Sequence, residues 1–265
     1  VTNPIAVSTW ALHRALGVAI WHLPEGTPDP DGHHFPSLTL KTLGDELFRR
    51  GIDRVELCHF HLPSSDPTEV APIGAWLRDS GVTVQSLLID GGDITDPVYG
   101  ERDARWISEW VAAAGALGAE RARVIGGKSA GPDAFAAAVH HLGEIAAAAG
   151  PVRVMVENWF DVMSTPEAVN HVLDALDGKV GLCVDFGNWP APRKYTELPL
   201  IFDRAETCHA KCEIDEAGRI DEADYDRCLA LARRAGFTGP LVIVNGGPGD
   251  EWAAIESTAA YLRAA

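Results

Sequence analysis

Val180-Gly181-Leu182-Cys183-Val184-Asp185-Phe186-Gly187-Asn188-Trp189 is a short apolar, β-branched run that ends on a carboxylate and passes at once into a glycine-bearing loop. The same order recurs on both sides of it. Upstream, Val152 to Val156 leads into Glu157-Asn158-Trp159, and downstream Ala205 to Cys208 leads into His209-Ala210-Lys211. Runs at Ile5 to Val7, Arg54 to Cys58, Thr83 to Ile89, Arg121 to Ile125 and Leu241 to Val244 bring the number of such strands to eight. Helical stretches lie between them. Trp106, Ile107, Trp110, Val111, Ala114 and Leu117 share one face at a period near 3.6, and Thr165-Pro166-Glu167 has the cap, first-turn proline and acid of a helix start. The strands are near-continuous apolar runs, as expected where parallel strands are buried on both faces. No G-x-G-x-x-G follows the first strand, which disfavours a doubly wound open sheet. The pattern predicts an α/β fold, a single (β/α)8 TIM barrel over residues 1–265, with a long proline-rich, lid-like loop at about 21–37.

Composition fits that reading and narrows function. The chain has 46% hydrophobic and 23% charged residues, ordinary values for a globular protein. Its formal charge of −16 opposes phosphate backbones and anionic lipid, so no nucleic-acid and no membrane partner is expected. No stretch approaches the roughly 20 apolar residues that span a bilayer. With no basic, apolar leader at Val1 to Trp10 and an odd number of cysteines lacking any C-x-x-C pair, a cytoplasmic protein with reduced thiols is expected.

In such a barrel, chemistry sits at the C-terminal ends of the strands. Those ends carry Ser8, Thr9, Trp10 and His13 after the first strand, His59 and His61 after the second, Asp90 and Asp93 after the third, and Lys128 after the fourth. Glu157, Asp185 and His209 then occupy equivalent positions on three successive strands. Two carboxylates and an imidazole suit a divalent metal, Mn2+, Mg2+, Fe2+ or Zn2+, with water or substrate oxygens in the remaining positions. Each residue also has an ordinary structural use: Glu157 in an ion pair with Lys211 or an arginine, Asp185 capping the next turn, His209 as a hydrogen-bonded core histidine. If the pleat continues past Cys58, His59 and His61 share a face and form a second acid-base resource, with His13 competing for the same role.

Ser8-Thr9-Trp10-Ala11-Leu12-His13-Arg14, Cys58-His59-Phe60-His61-Leu62-Pro63, Glu157-Asn158, Val184-Asp185-Phe186-Gly187-Asn188 and His209-Ala210-Lys211 together resemble the sugar phosphate isomerase/epimerase superfamily of xylose-isomerase-like barrels. The resemblance runs the full length. It implies a divalent metal held by Glu157, Asp185 and His209, with Lys211 contacting substrate oxygen, and proton abstraction α to a carbonyl by the strand-five glutamate and a strand-eight carboxylate. Trp10, His13, Asn158, Asn188 and Asn245 are the expected substrate contacts. The resemblance further implies a small-molecule substrate and a homo-oligomer.

One position departs from the family. The strand-eight glutamate aligns with Val244, followed by Asn245-Gly246-Gly247. Asn245 is a neutral ligand at best, and Glu213 is a remote substitute. Three readings follow: a metal-dependent isomerase or epimerase; a lyase of the same superfamily, working by dehydration or β-elimination and including aglycone release from a keto-sugar; and a metal-free pathway enzyme or non-catalytic binding barrel. The family's nuclease chemistry is disfavoured by Asn188 in place of a further ligand and by the acidic field. Asp250 and Glu251 beside Gly246-Gly247-Pro248-Gly249 would repel phosphate, which points to a neutral sugar or keto-sugar substrate.

Overall fold

Eight parallel strands close on themselves in sequence order, with the first strand hydrogen-bonded to the last. This computed structural model describes residues 3–17, 19–27, 36–215 and 219–264. The elements are β1 (Ile5–Ser8), α1 (His13–Leu16), α2 (Leu40–Arg49), β2 (Arg54–Cys58), α3 (Pro67–Asp79), β3 (Thr83–Ile89), α4 (Gly100–Leu117), β4 (Arg121–Val124), α5 (Pro132–Ala148), β5 (Arg153–Glu157), α6 (Pro166–Ala175), β6 (Gly181–Asp185), α7 (Lys194–Glu197), β7 (Ala205–His209), α8 (Glu222–Arg234), β8 (Leu241–Ile243) and α9 (Glu251–Ala264). The (β/α)8 barrel expected from the pattern is the observed fold.

The main core lies between strands and helices. Outward-facing Val7, Val55, Leu57, Val154, Val156 and Ile243 meet helix residues such as Leu77, Ile107, Val169 and Ile255. α4 buries the stripe read from its period, and Thr165 caps α6 by accepting the Ala168 N–H, with Pro166 in the first turn. A separate apolar cluster of Ala6, Val242 and Val244 lies apart from that core.

Two register shifts set the polar interior. Val55 pairs with Val84 but Glu56 with Ser86, leaving Gln85 as an extra residue, whose amide then donates to Glu56 Oε1 at 3.0 Å. Between β6 and β7, Leu182 pairs with Ala205 but Cys183 with Thr207, which brings Asp185 opposite His209.

α3 and α4 approach so closely at Gly74 that a Cβ there would stand 2.0 Å from the Leu117 carbonyl oxygen. Because backbone rather than a flexible side chain is the obstacle, Gly74→Ala is expected to cost about 3 kcal/mol in chemical denaturation. A loss well below 1 kcal/mol would contradict that contact.

Of the lid-like segment, Trp21 to Thr27 and Pro36 to Ser37 are described, with a tight turn closed between Leu23 and Gly26. Residues 28–35, including His33 and His34, lie outside the described residues. Trp21 packs on Phe60 with ring centroids 4.2 Å apart, over the mouth of the barrel. Among the described residues, no helix is long and apolar enough to cross a membrane.

Candidate active site

Glu157, Asp185 and His209 are the last residues of β5, β6 and β7, so the strands themselves deliver the three side chains to one rim. All three are buried. His209 Nδ1 lies 3.5 Å from Glu157 Oε2 and 3.6 Å from Asp185 Oδ2. The opposite ring nitrogen, Nε2, is 2.9 Å from Glu56 Oε2. Glu56 is wholly buried and also accepts the Ser86 hydroxyl and the Gln85 amide. A carboxylate on one imidazole nitrogen, leaving the other aimed at two carboxylate oxygens, is the arrangement that orients a metal-ligating histidine.

The structural uses foreseen for these residues are all present; those of Asp185 and His209 occupy the atoms turned away from the shared point, whereas the ion pair of Glu157 with Arg123 uses Oε2 itself. Asp185 Oδ1 accepts the N–H groups of Gly187 and Asn188, at 2.5 and 2.9 Å, and so caps the turn. Glu157 Oε1 accepts Asn188 Nδ2 at 2.5 Å. Glu157 Oε2 lies 3.0 Å from Arg123 Nε but is a buried atom without a directed hydrogen bond. That oxygen and Asp185 Oδ2 flank His209 Nδ1 at 3.5 and 3.6 Å, a carboxylate–imidazole–carboxylate donor set of the kind divalent ions take; the ligand atoms that all fall within 4.8 Å of one another are those of Glu157, Cys183 and His209, with Asp185 outside that cluster.

Charge is closely compensated here. Burial disfavours the Glu157 carboxylate, but His209 and Arg123 more than reverse this and hold its pKa at about 2. Burial likewise opposes the charged form of His209, and Cys183, Glu157 and Glu56 raise it well above the usual imidazole value. Burial pushes the Cys183 thiol up, so the two carboxylates are the effective partners near neutral pH. Glu56 is lowered despite its burial, chiefly by His209. A proton on Nδ1 and a cation therefore compete for the same point. Arg123 bridges Glu157 to Asp90, whose Oδ1 is 2.5 Å from Nη1.

These groups line a cavity of about 350 Å3. Its floor is Glu157, Asp185, His209 and Arg123, and its walls are Trp10, Trp21, Phe60, Trp159, Leu88 and Val244. Lys211 reaches in across Gly187, where a Cβ would meet Lys211 Cδ at 2.7 Å. Lys211 has no hydrogen-bond or ion-pair partner among the described residues. Phe160 stacks on Trp159 and holds φ 59° and ψ 178°, a conformation nearly reserved for glycine.

Other expected contacts are placed differently. The pleat does not continue past Cys58, because His59 to His61 form a 3-10 turn. Phe60 therefore faces the cavity, and the two histidines turn away from it. His59 Nε2 donates to the His22 carbonyl and Nδ1 accepts the Asp90 N–H, with Trp106 and Trp110 edge-on to its ring. His61 is held between Thr9 and His13, at 3.0 and 3.2 Å. Burial lowers the pKa of His59 to about 4, and burial together with His13 and His59 lowers that of His61 to about 3. His13 packs against Trp10 and His61 rather than lining the cavity.

Asn158 exchanges two hydrogen bonds with the Asp185 backbone, at 2.7 and 3.1 Å, and so stays in the wall. Asn245 is consumed by Thr258 and Cys212. Trp10, Asn188 and Lys211 do reach the cavity. The glycine loop after β8 turns the carbonyls of Gly247 and Gly249 toward Arg14, at 2.7 and 2.5 Å, and Glu251 accepts the Arg14 and Ala15 N–H groups. Sequence reasoning missed Glu56 and Arg123. Their signal was a charged residue inside a strand otherwise apolar enough to be buried on both faces.

The fold and site can be set beside known proteins. The sequence profile described as "Xylose isomerase-like TIM barrel" matches residues 45–265. No curated protein matches the chain in sequence. Among solved structures, a xylose isomerase-like TIM barrel protein from Mycobacterium smegmatis, in complex with magnesium, superposes with a TM-score of 0.68 at 18% identity, covering 98% of this chain and 95% of that one. D-psicose 3-epimerase from Clostridium cellulolyticum, with D-tagatose, gives 0.68 at 12% identity, covering 98% of both chains. The 3-keto-D-glucoside 4-epimerase of E. coli gives 0.64 at 16% identity, covering 89% of this chain and 97% of that one. With the profile spanning most of its length and the barrel closed around the residues described, the chain belongs to the xylose isomerase-like TIM barrel family.

Proposed function

We propose that the protein abstracts a proton α to a carbonyl in a sugar or keto-sugar, with Glu157, Asp185 and His209 holding a divalent metal. The placing of His209 Nδ1 between Glu157 Oε2 and Asp185 Oδ2, with the far side of the imidazole on Glu56, carries this reading. The sugar-epimerase neighbours agree with the substrate class. When bound, the metal acts as a Lewis acid on the substrate carbonyl and adjacent hydroxyl.

The protein's own groups do the rest. Glu157 stays ionised, held so by His209 and Arg123, and is the carboxylate that accepts the proton. Lys211 Nζ, without a partner among the described residues, hydrogen-bonds the substrate oxygen on which negative charge grows. Trp10, Trp21, Phe60 and Trp159 stack on the ring and exclude water. Glu56 positions His209, and Asn188 positions Glu157.

Val244 favours one variant of this chemistry. It lines the cavity where the family places a second carboxylate, so proton transfer has a base on one face only. Epimerisation by removal and return on opposite faces needs two bases. Transfer within one face, as in aldose–ketose isomerisation, or elimination needs one. The lyase reading therefore stands beside the isomerase reading on this residue. A metal-free reaction would need His59 and His61 as its acid-base pair, and neither lines the cavity.

The test is Mn2+ stoichiometry of the purified protein combined with deuterium wash-in from solvent over a panel of ketoses. Stoichiometric Mn2+, lost in Asp185→Asn and His209→Ala, is expected to accompany wash-in at a carbon α to the carbonyl with retained configuration. Wild type that takes up no divalent ion at micromolar concentration sinks the mechanism, and inverted configuration sinks the one-face version.

A further inference from the structure

A groove of about 970 Å3 runs between α4 and α5 on the outer face of the barrel, and it shares no lining residue with the cavity at the mouth. Within it, two imidazoles and a carboxylate of α5 meet. His140 Nε2 and His141 Nδ1 each lie 3.5 Å from the same oxygen, Glu144 Oε2. Residues 140 and 141 are four and three positions before 144, so both reach it across one helical turn. The spacing is too long for hydrogen bonds. It is close to the edge of a tetrahedron built on metal–ligand bonds of about 2.0–2.1 Å, which is about 3.4 Å. All three donor atoms fall within 4.8 Å of one another.

His141 supplies an independent observation. Its side chain is 13% exposed, and Nδ1 is buried without a hydrogen-bond partner. A buried ring nitrogen in that state lacks the partner such groups almost always have. Packing fixes the ring, since Nε2 lies against the start of α4, where a Cβ on Gly100 would stand 3.6 Å away. Around the cluster, Glu101 and Glu109 line the groove, and the cation there, Arg105, is paired with Glu101. The local field therefore favours a cation.

We propose that His140, His141 and Glu144 form a second metal site, distinct from the barrel mouth, that takes a transition cation of the zinc class. Two imidazole nitrogens and one carboxylate oxygen select Zn2+, Ni2+ or Cu2+ over Mg2+ and Mn2+. The remaining coordination position opens to the groove, where water or a ligand carboxylate completes it.

Calorimetric titration of the purified full chain with Zn2+, and with Mg2+ as contrast, tests this. The Asp185→Asn/His209→Ala protein, with two of its three barrel ligands removed, is expected still to bind Zn2+ stoichiometrically and to take up no Mg2+. Adding His141→Ala or Glu144→Gln weakens that Zn2+ binding by at least about tenfold, the lower end of what removal of even an outer partner does. Glu144 is 62% exposed, so Glu144→Gln in the otherwise wild-type chain gives the same reading without disturbing the fold; there the Zn2+ stoichiometry drops by the groove site. No Zn2+ bound by the barrel-site variant, or Zn2+ binding indifferent to both α5 substitutions, overturns the proposal.

Discussion

Glu157→Gln is expected to slow exchange of the α-hydrogen of a ketose by about 10²–10⁴-fold, the range attributed to a positioned proton acceptor. Glutamine keeps the oxygen that accepts Asn188 but replaces the orphaned Oε2 with an amide. Exchange and the melting curve must be followed together, because the substitution also removes one partner of buried Arg123. Breaking a buried pair from one side costs about 3–5 kcal/mol in general, and less here because Asp90 still holds the guanidinium. The double variant Glu157→Gln/Arg123→Met separates the two effects. It is expected to regain stability relative to Glu157→Gln while exchange stays slow. Recovery of exchange in the double variant would show that Glu157 matters only as the partner of Arg123.

Acidification below pH 6.5 is expected to destabilise the protein well before its carboxylates titrate. His59 and His61 are buried and neutral, with folded pKa values near 4 and 3 against about 6.5 in an unfolded chain. As pH falls through 6.5, the unfolded chain takes up protons that the native chain refuses. Stability that is full above that pH is then lost until the folded values are reached. By pH 4 each histidine has removed about 3 kcal/mol, with a combined slope approaching 3 kcal/mol per pH unit between. That is a large share of the roughly 5–15 kcal/mol that holds a domain folded. Urea denaturation at pH 7, 6, 5 and 4 reads the slope directly, and His61→Gln is expected to halve it. A flat profile over this interval would mean that the two rings take protons within the folded structure.

The barrel was legible because most strands are short apolar runs that end abruptly in polar or glycine-bearing loops; observed strands end within a residue of the expected places, as with Arg153–Glu157 and Gly181–Asp185. That Glu157, Asp185 and His209 meet at one rim was legible for the same reason, since the ends of successive parallel strands open on the same mouth. What escaped depends on the interior. Glu56 meets His209 across the barrel from a strand 153 residues away, and the extra residue Gln85 that supports it exists only through a register shift. His59 and His61 were misplaced because a single 3-10 turn replaced a pleat and exchanged their face with that of Phe60. Asn158 and Asn245 have the right type and place for substrate contact, but whether an amide is already satisfied is invisible until its neighbours are known.

The reciprocal pair between Asn158 and the backbone of Asp185 carries one more consequence. A side-chain amide there imitates a peptide unit and adds a rung to the ladder between β5 and β6 just beyond Glu157. The spacing of the two strand ends is thereby set by backbone-type bonding as the chain folds. A divalent ion held as proposed above would meet ligands whose entropic cost of gathering has fallen on folding, and such a socket would favour ions that match its preset span over larger ones that have to spread it.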